Sequence, residues 1–515
     1  MTRQDQSSSL SKRVLASYGA PAFPLALVGL PMAVYLPAVY ADADGFGLTL
    51  GAVGLILTLS RLTDVITDPL IGFISDRLKT RWGRRKPFIL LGTPLYALGI
   101  WLLFVPPVEF TEVQLWGLSF NSGYPYLFVM VTLVYLGSTI KDLPYVAWGA
   151  ELSQNYNERT LVTSWREGFL VAGSLLSAFT PALLLFAGYV KPTDAVYFLS
   201  VAMCIVMPIV VLNALIVVPE YPVLVATKKM PLKESLRVVL KNEPYVLLIV
   251  IFVFSTLGSA MTNSLSFFFV KHVLLAGDLY GLYLAPYFLS QILAIPLWFG
   301  LSRRVGKHRA TMIAIGWYAL WSCFIPLIAL APNLWFDAFE IPVVLSFLPD
   351  DWHAVVAARF ADMETGKFLF FIVIMCLKGS AIGALAALPA AMAADVIDLD
   401  TLETGEKRAG AYFSIWSMTR KASYAVGITL GTGTAVLVGF DSLTDPILAP
   451  NTPSALLWLA CLYSVIPAVF KFVAMPLLWR YPLTEARLTE IQAEIQNTRA
   501  SSTPNSPSSA WTKGS

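Results

Sequence analysis

Long apolar runs separated by short polar segments cover almost the whole chain. A helix of about 20 mostly apolar residues can cross the hydrocarbon core of a membrane. Runs of this length predict twelve membrane-spanning helices, and therefore an all-α polytopic protein. The runs are 18–40, 48–75, 87–106, 125–149, 163–188, 194–218, 244–270, 279–300, 309–331, 366–390, 410–439 and 453–480.

Lysine and arginine are shared unevenly between the loops that join these runs. Loop 75–86 carries six of them, and segment 219–243 carries five. Loops 41–47, 107–124 and 440–452 carry none. Because basic residues accumulate in cytoplasmic loops, we expect both termini to be cytoplasmic.

The runs fall into two groups of six, joined by a polar linker. The segment GFISDRLKTRWGRRK from Gly72 is echoed weakly by GLSRRVGKHR from Gly300, as in carriers built from two parallel repeats. The sequence gives no role for the long outer loop 332–365. The predicted organisation is a cytoplasmic segment 1–17, a six-helix bundle 18–218, a cytoplasmic linker 219–243, a second six-helix bundle 244–480 and a largely disordered cytoplasmic tail 481–515.

Composition supports a membrane protein. Charged residues make up 13% of the 515 positions, about half the roughly 25% of soluble domains. Hydrophobic residues make up 57%, and the mean hydropathy is +0.67. A net charge of +3, placed in short loops, gives no reason to expect nucleic-acid binding. No small-residue cleavage site follows the polar N-terminus, so we expect the first span to target the chain to a bacterial inner membrane.

Soluble-enzyme chemistry finds no support in the sequence. No CxxC pair or HExxH zinc motif is present, and the stretch GLSRRVGKH lacks the spacing of a phosphate loop. We therefore expect no enzyme and no cofactor beyond a coupling cation. The cysteines and histidines are Cys204, Cys323, Cys376, Cys461, His272, His308 and His353.

The second run contains charged residues where charge is costly. Arg61, Asp64 and Asp68 are spaced by three and four residues, which places them on one face of a helix beside Thr67. Two ionised carboxylates one turn apart would repel, so one holds a proton or a cation lies between them. A hard cation such as sodium would find oxygen ligands on Asp64, Thr67 and Asp68. The alternative is a static Arg61–Asp64 salt bridge, which leaves Asp68 unexplained.

Other intramembrane charges are functional candidates by the same argument. Asp142 can complete a cation site or accept a substrate hydroxyl, or it can be a helix-end residue neutralised by Lys141. Arg166 can bind substrate or extend to the cytoplasmic surface. Lys378 has no partner evident from the sequence, and for Lys421 we favour an orientation towards a cavity.

Tryptophans close to these charges are candidates for stacking on a sugar ring. Trp416 lies five residues before Lys421. Trp148 and Trp165 lie near the ends of their runs, where an interfacial position is the better interpretation.

With these residues in place, the chain resembles the glycoside–pentoside–hexuronide:cation symporter family of the major facilitator superfamily, which includes melibiose permease. Three segments carry the resemblance: 61–90 with its paired aspartates and basic loop, 139–168, and 394–421 leading into the eleventh run. They occur in both halves and in the expected order, so the likeness covers most of the chain.

The resemblance implies roles for individual residues. Asp64 and Asp68 match the cation-binding aspartates of the family and would bind the metal ion if that cation is sodium. Lys421 matches a lysine linked to both the cation and the sugar, and Ser417 takes the place of a threonine. The implied cation-binding set is Asp64, Thr67, Asp68, Thr139 and Asp142. The candidate substrate-binding set is Asp142, Arg166, Trp416, Ser417, Lys421 and Lys378.

Three departures from the family pattern matter, one for the cation and two for the substrate. Thr67 stands where melibiose permease has an asparagine, which weakens the case for sodium over protons. Leu25 and Ala26 replace a Lys-Asp pair that grips sugar hydroxyls. Val146 occupies the place of the sugar-stacking tryptophan, and Trp148 lies two residues on. The cation site is therefore expected to be kept and the substrate site rebuilt.

The predicted function is cation-coupled symport, with Na+ or H+, of a sugar, glycoside or hexuronide by alternating access. The alternative is a carrier of lysolipid or another amphiphile with the same fold. We expect a monomer in contact with membrane lipids, with a small-molecule substrate and no nucleic-acid partner. A membrane sensor would need a signalling domain, and a membrane enzyme would need a catalytic cluster.

Overall fold

Helices make up nearly all of the structure, a computed structural model that describes residues 10–77, 80–115, 118–152, 156–189, 191–220, 241–331, 365–404 and 409–482. Most of the linker 219–243, the loop 332–365 and the tail 481–515 lie outside these residues. The first half contains α1 Lys12–Gly19, α2 Ala22–Leu30, α3 Leu36–Ala41, α4 Leu50–Leu62, α5 Asp64–Arg77, α6 Lys86–Phe104, α7 Gly123–Glu151, α8 Tyr156–Phe186 and α9 Pro192–Val217. The second half contains α10 Glu243–His272, α11 Tyr280–Leu293, α12 Ile295–Val305, α13 Lys307–Leu330, α14 Thr365–Ser380, α15 Ile382–Thr404, α16 Ala409–Leu437, α17 Pro453–Tyr463, α18 Val465–Val473 and α19 Met475–Trp479.

Two short helical turns and two strands complete the described elements. A π-helical turn Pro31–Tyr35 joins α2 to α3, and a 3-10 turn Gly277–Leu279 precedes α11. Strands β1 Glu112–Leu115 and β2 Leu118–Asn121 pair antiparallel in the loop between α6 and α7.

Each of the twelve predicted apolar runs falls on one helix or on a series of consecutive helices. Among the described residues, eleven helical segments are long and apolar enough to cross a membrane. The run 410–439 corresponds to α16, which is not one of the eleven. The number twelve and the side on which the termini lie therefore remain predictions.

Several spans are interrupted within the membrane region. Proline lacks a backbone N–H and disturbs the preceding turn, and Pro296 and Pro467 each follow such a break within a few residues. The second span breaks at Thr63, whose hydroxyl donates to the carbonyl of Ser60 at 2.6 Å. This break brings the charged residues of the span to a helix end, where backbone groups lack partners within the helix.

Each half contains an ion pair, and the two pairs lie at equivalent places, as expected for parallel repeats. In the first half, Arg85 just before α6 donates to Glu151 at the end of α7 at 2.8 Å. In the second half, Lys307 at the start of α13 bonds Asp395 of α15 at 2.7 Å. Both pairs lie where the predicted basic loops lie, at what we call the basic end.

The halves contact each other at the opposite end, which we call the Asp42–Lys271 end. Lys271 at the end of α10 bonds Asp42 at 2.8 and 2.9 Å and Asp44 at 2.7 Å. Burial raises the pKa of Asp42, and the Lys271 ammonium offsets part of that effect. Gly281 lies directly against Pro181, where a Cβ would overlap the proline ring.

A hydroxyl seam continues this contact towards the middle of the molecule. Thr58 of α4 donates to the carbonyl of Ala425 and lies 2.6 Å from the Thr429 hydroxyl. Thr429 donates in turn to the carbonyl of Gly54 at 3.0 Å. At the basic end, the Arg85–Glu151 and Lys307–Asp395 pairs each lie within one half.

Candidate functional site

Four charged residues and one hydroxyl form a single cluster in the middle of the molecule, which we call the ion cluster. Lys421 Nζ lies 2.6 Å from Asp68 Oδ2 and 3.2 Å from Asp64 Oδ2. Arg61 also bonds Asp64 Oδ2, at 3.1 Å, and Thr139 donates to Asp68 Oδ1 at 2.8 Å. The predicted cation-binding residues Asp64, Asp68 and Thr139 are therefore together, and Lys421 joins them.

Local helix geometry positions each member of the ion cluster. Asp64 is the first residue of α5, immediately after the break at Thr63, and Asp68 follows one turn later on the same face. Thr139 projects from α7 of the same half, whereas Lys421 projects from α16 of the other half. The ion cluster thus joins the two halves through one lysine side chain.

The charges in the ion cluster balance. Two carboxylates face one ammonium and one guanidinium, and the Arg61 guanidinium also lies 4.1 Å from the centre of the Tyr135 ring. The Asp64 side chain is 3% exposed and that of Lys421 is 21% exposed. Transfer of charges out of water is costly unless they are paired and hydrogen-bonded, and here each carboxylate has a basic partner.

Two buried oxygens beside these charges have no hydrogen-bond partner among the described residues: Asp64 Oδ1 and Thr67 Oγ1. A buried oxygen without a donor is destabilising unless a water or an ion occupies the space beside it. Sodium is a hard cation that binds several oxygens, and Asp64, Thr67, Asp68 and Thr139 supply carboxylate and hydroxyl oxygens from two neighbouring helices. These residues fit a small cation or a proton. No group of three or more Asp, Glu, His or Cys in the described part of the chain could hold a metal.

Asp142 lies one turn beyond Thr139 on α7 but binds other partners. The Ser138 hydroxyl donates to its Oδ2 at 2.5 Å, and Lys141 Nζ lies 2.7 Å from its Oδ1. Lys141 is nearly fully buried, with its ammonium 4.0 Å from the Tyr96 ring centre. The structure therefore contains the Lys141–Asp142 pair that was the alternative interpretation, and it does not bond Asp142 to the ion cluster.

The predicted substrate residues form no single group. Arg166 pairs with its neighbour Glu167 at 2.6 Å, and its Nε is buried without a partner among the described groups. Trp416 stacks on Phe252 with ring centres 4.1 Å apart. Ser417 is half-buried, one turn before Lys421 on α16.

Lys378 lies apart from the other predicted residues, within the second half. It is fully buried, and its Nζ has no hydrogen-bond partner among the described groups. Its contacts are the faces of Tyr318 and Tyr463, at 4.8 and 5.1 Å from the ring centres. Lys471 approaches the same Tyr318 ring at 4.9 Å. We call Lys378 and Lys471 the lysine pair.

Two features of this region were missed in the sequence. Lys471 lies inside the apolar run 453–480, and the rule that selected Lys378 should also have selected it. Asn263 of α10 donates to the Tyr424 hydroxyl of α16 at 3.1 Å, three residues after Lys421 on that helix. A single amide in an apolar run carries no comparable signal, so its role could not be recognised from sequence.

Comparisons with known proteins agree on the class of protein. The family model described as MFS/sugar transport protein matches residues 17–485. A relative from Escherichia coli (strain K12), named glucuronide carrier protein homolog, is 24% identical over 476 residues, covering 90% of this chain and 91% of the relative. The sodium-dependent lysophosphatidylcholine symporter 1 of Gallus gallus is 24% identical over 546 residues, covering 98% of this chain and 92% of that protein.

The fold is also that of a solved transporter. The crystal structure of the nucleoside transporter NupG matches with a TM-score of 0.58 at 14% identity, covering 92% of this chain and 100% of that one. A likeness at this identity concerns the arrangement of helices only.

Proposed function

Because this chain belongs to the MFS/sugar transport protein family, we propose that it is a cation-coupled symporter for a sugar, glycoside or hexuronide. Members of the family are multi-pass membrane transporters and not enzymes, and symporter relatives imply a small-molecule substrate and a coupling cation. The glucuronide carrier homolog supports the sugar class of substrate.

The observation that carries the proposal is the position of Lys421. Its ammonium, supplied by one half, bonds both aspartates of the other half at 2.6 and 3.2 Å. A sodium ion or a proton at Asp64 and Asp68 would compensate the same negative charge, so cation binding and the Lys421 contacts compete. Cation binding would therefore release a link between the halves, which is the kind of linkage that coupled transport requires.

The contacts between the halves suggest how access alternates. In the structure the halves are joined at the Asp42–Lys271 end through Lys271 and through the Thr58–Thr429 seam. We infer that this conformation is closed at that end and that the substrate site opens towards the basic end. With the basic end in the cytoplasm of a bacterial inner membrane, this is the inward-facing state.

The proposed cation site consists of Asp64, Thr67, Asp68 and Thr139, with Asp142 adjacent. For the substrate we keep Arg166, Asp142, Ser417, Trp416 and Lys421 as candidates. We leave out Lys378, because a fully buried side chain between two tyrosine rings of one half has no access to a substrate in this conformation.

A lysolipid or other amphiphile is the second candidate substrate. The lysophosphatidylcholine symporter of Gallus gallus aligns with 98% of this chain. The headgroup of a lysophosphatidylcholine is zwitterionic, and Arg166 and Lys421 suit its anionic phosphate as well as they suit a hexuronide carboxylate.

The test is uptake by the purified protein in proteoliposomes, with sodium and pH gradients imposed separately. The panel contains methyl glycosides, hexuronides and lysophosphatidylcholine. We expect one gradient to drive sugar uptake, and we expect Asp68→Asn to reduce it about 5- to 150-fold, the range of a typical coupling free energy. The matched control is Asp194→Asn, an acid that caps the start of α9 outside the ion cluster.

The outcomes separate the candidates. Gradient-driven sugar uptake that is lost in Asp68→Asn and kept in Asp194→Asn supports symport and identifies the cation. Uptake of lysophosphatidylcholine alone would establish the second candidate instead. Equal uptake by wild type and Asp68→Asn under both gradients would overturn the proposed coupling site.

A further inference from the structure

Arg420 is a second basic residue well inside α16, directly before Lys421. Its side chain is exposed, and it has no hydrogen bond and no ion pair with any residue that the structure describes. An arginine is always charged, and a charge this deep in a span is costly unless something compensates it. The unpaired guanidinium therefore requires an explanation.

The surroundings of Arg420 place its guanidinium in the cleft between the halves and not in lipid. It lies close enough to the guanidinium of Arg61, on α4 of the other half, for the two like charges to repel each other. Protein atoms around Arg420 remove part of its water shell, although the side chain remains exposed. A side chain that is both exposed and surrounded by protein lines an open cleft.

One positive charge in this cleft lacks a counterion among the described residues. The two carboxylates of the ion cluster already balance its two basic groups. The other basic residues of the candidate sites, apart from the fully buried Lys378, each bond a carboxylate: Arg61, Lys421 and Arg166. The charge of Arg420 is left over, and the low-dielectric walls of a cleft strengthen the field of such a charge. The cleft therefore favours an anionic ligand.

The neighbours of Arg420 along α16 suit an anion that also carries a sugar ring. Trp416 and Ser417 precede it by four and three residues, so all three side chains project from one side of the helix. Trp416 and Ser417 are half-buried. A guanidinium can donate two parallel N–H bonds to a carboxylate or phosphate, while an indole offers apolar surface and a serine offers a hydroxyl. A hexuronide has a group for each of them.

An anion at Arg420 also affects cation binding. A cation at Asp64 and Asp68 adds positive charge close to an uncompensated guanidinium, so Arg420 opposes its binding. An anionic substrate neutralises Arg420 and removes this opposition. Each ligand then raises the affinity of the other, whereas a neutral glycoside would leave the repulsion in place.

We propose that Arg420 binds an oxyanion of the substrate, so that the carrier selects anionic over neutral substrates and couples them to the cation through this charge. The oxyanion is the carboxylate of a hexuronide or the phosphate of a lysolipid. Arg166 and Lys421 already bond carboxylates in this conformation, which leaves Arg420 as the available charge. The inference rests on the proposed function, because it assumes a cation-coupled symporter, and it removes neutral glycosides from the substrate class.

Equilibrium binding to the purified protein tests the proposal with two matched pairs of probes. Methyl β-D-glucuronide and methyl β-D-glucoside differ in the carboxylate. Lysophosphatidylcholine and a monoacylglycerol with the same acyl chain differ in the phosphate-bearing headgroup. We expect wild type to bind the oxyanion-bearing member of one pair at least about tenfold more tightly than its partner, as charge-assisted hydrogen bonds allow.

Variants of Arg420 show whether this residue causes the preference. Arg420→Met should raise the Kd of the oxyanion-bearing probe alone and abolish the preference. Arg420→Lys keeps the charge without the planar fork of donors, so its preference should be intermediate. The matched control is Arg303→Met, which should keep the wild-type preference. Arg303 is an exposed arginine in the last turn of α12, with its guanidinium 4.6 Å from the Phe299 ring centre.

Cation binding to the substrate-free protein gives a readout that a structural role would not produce. It is followed by titration for sodium and with a pH indicator for protons. Arg420→Met should bind the coupling cation more tightly, because a repelling charge is removed, and should lose most of the effect of the cation on the Kd of the oxyanion-bearing probe. Weaker cation binding by Arg420→Met would overturn the electrostatic link.

The outcomes distinguish this inference from the proposed function. Wild type that binds none of the four probes overturns both. Wild type that binds each neutral probe as tightly as its partner overturns the role of Arg420 alone, as does a wild-type preference in Arg420→Met. A preference that is lost in Arg420→Met supports the proposal, and the pair in which it occurs shows whether the ligand is a carboxylate or a phosphate. The thermal midpoint of every variant shows that it is folded, and the wild-type comparison needs no variant.

Discussion

The ion cluster and the lysine pair both place lysine deep within the helical bundle, but the lysines have different partners. Lys421 bonds two carboxylates, remains 21% exposed and crosses from one half to the other. Lys378 and Lys471 lie within one half and are 0% and 2% exposed. Neither has a carboxylate partner among the described residues.

The partners of each lysine show which ammonium group a coupling cation can replace. Lys421 is held by carboxylate oxygens, which a sodium ion or a proton can also satisfy. Lys471 donates to Ser255 O at 2.8 Å, Ser255 Oγ at 3.1 Å and Ser259 Oγ at 2.8 Å. Among the described residues, the Lys378 ammonium has aromatic faces beside it and no hydrogen-bond acceptor. A sodium ion that displaced the Lys378 ammonium from these ring faces would gain no carboxylate ligand among the described residues. The ion cluster therefore suits an exchangeable site, and the lysine pair suits a fixed part of the second half.

The sharpest test of this comparison replaces one lysine from each region with methionine, which has a similar length and no charge. Lys421→Met leaves Asp68 Oδ2 without its 2.6 Å partner and leaves Arg61 to balance two carboxylates. We expect gradient-driven uptake to fall about 5- to 150-fold, the span of a coupling free energy of about 1–3 kcal/mol. Lys378→Met should retain uptake within about twofold, because the Lys378 amino group has no hydrogen-bond partner among the described residues and lies outside the ion cluster.

Proteoliposome uptake rates, normalised to the amount of folded protein, provide the measurement. The two methionine variants serve as controls for each other, since each introduces the same side chain into a membrane helix. Equal loss in both would contradict the comparison, because the lysine pair would then take part in transport as directly as the ion cluster.

The helices and the two aspartates of the ion cluster could be predicted from the sequence. Twelve apolar runs locate the helices, and the spacing of Asp64 and Asp68 places both carboxylates on one face. Their partner lies 353 residues away along the chain, and no local pattern predicts which basic residue of the second half faces them. Family resemblance indicated Lys421, whereas residue spacing alone favoured only a cavity.

Other features depend on packing that a periodic pattern does not contain. The Arg61–Asp64 bond considered from sequence exists, and it coexists with the Lys421 bonds instead of excluding a role for Asp68. The sequence predicts Lys378 as a substrate residue because it is charged and lies midway along its apolar run. Helix α14 turns that side chain towards Tyr318, so the structure sets it apart.

Lys378→Met should stabilise the protein, whereas most substitutions in a protein interior destabilise it. A buried donor without an acceptor costs about 1–3 kcal/mol. Lys378→Met removes that donor, and the thioether can keep a favourable contact with the tyrosine rings. We expect the thermal unfolding midpoint to rise by a few degrees.

Thermal unfolding of the purified protein in detergent measures this effect. The control is Lys421→Met without sodium, whose midpoint should fall because buried charges lose a partner. A lower midpoint for Lys378→Met would mean that the ring contacts stabilise Lys378 more than its missing hydrogen bonds destabilise it.

A smaller effect is expected at the other member of the lysine pair. Lys471→Met removes three hydrogen bonds to Ser255 and Ser259, each worth about 0.5–1.5 kcal/mol, and also removes the cost of a buried charge. The two effects oppose each other, so we expect the thermal midpoint to fall slightly and uptake to stay near wild type. Ser255→Ala in the Lys471→Met background should add little, because the hydroxyl no longer has this donor. A large further loss would show that Ser255 has a role independent of Lys471.

The smallest expected effect belongs to the ring that lies between the two lysines. Tyr318→Phe keeps the aromatic face and loses a 3.4 Å contact with Thr262, so we expect the free energy of unfolding to change by no more than about 0.5 kcal/mol. Tyr318→Leu removes the face that lies 4.8 Å from Lys378 and 4.9 Å from Lys471, and each cation–π contact contributes about 0.5–2 kcal/mol. The cost of Tyr318→Leu should therefore exceed that of Tyr318→Phe, and it should shrink in the Lys378→Met background if Lys378 carries a charge. An equal loss of unfolding free energy on Tyr318→Leu in wild type and in Lys378→Met would show that the ring only fills space beside an uncharged amine. The ion cluster and the lysine pair would then differ in the charge of their lysines.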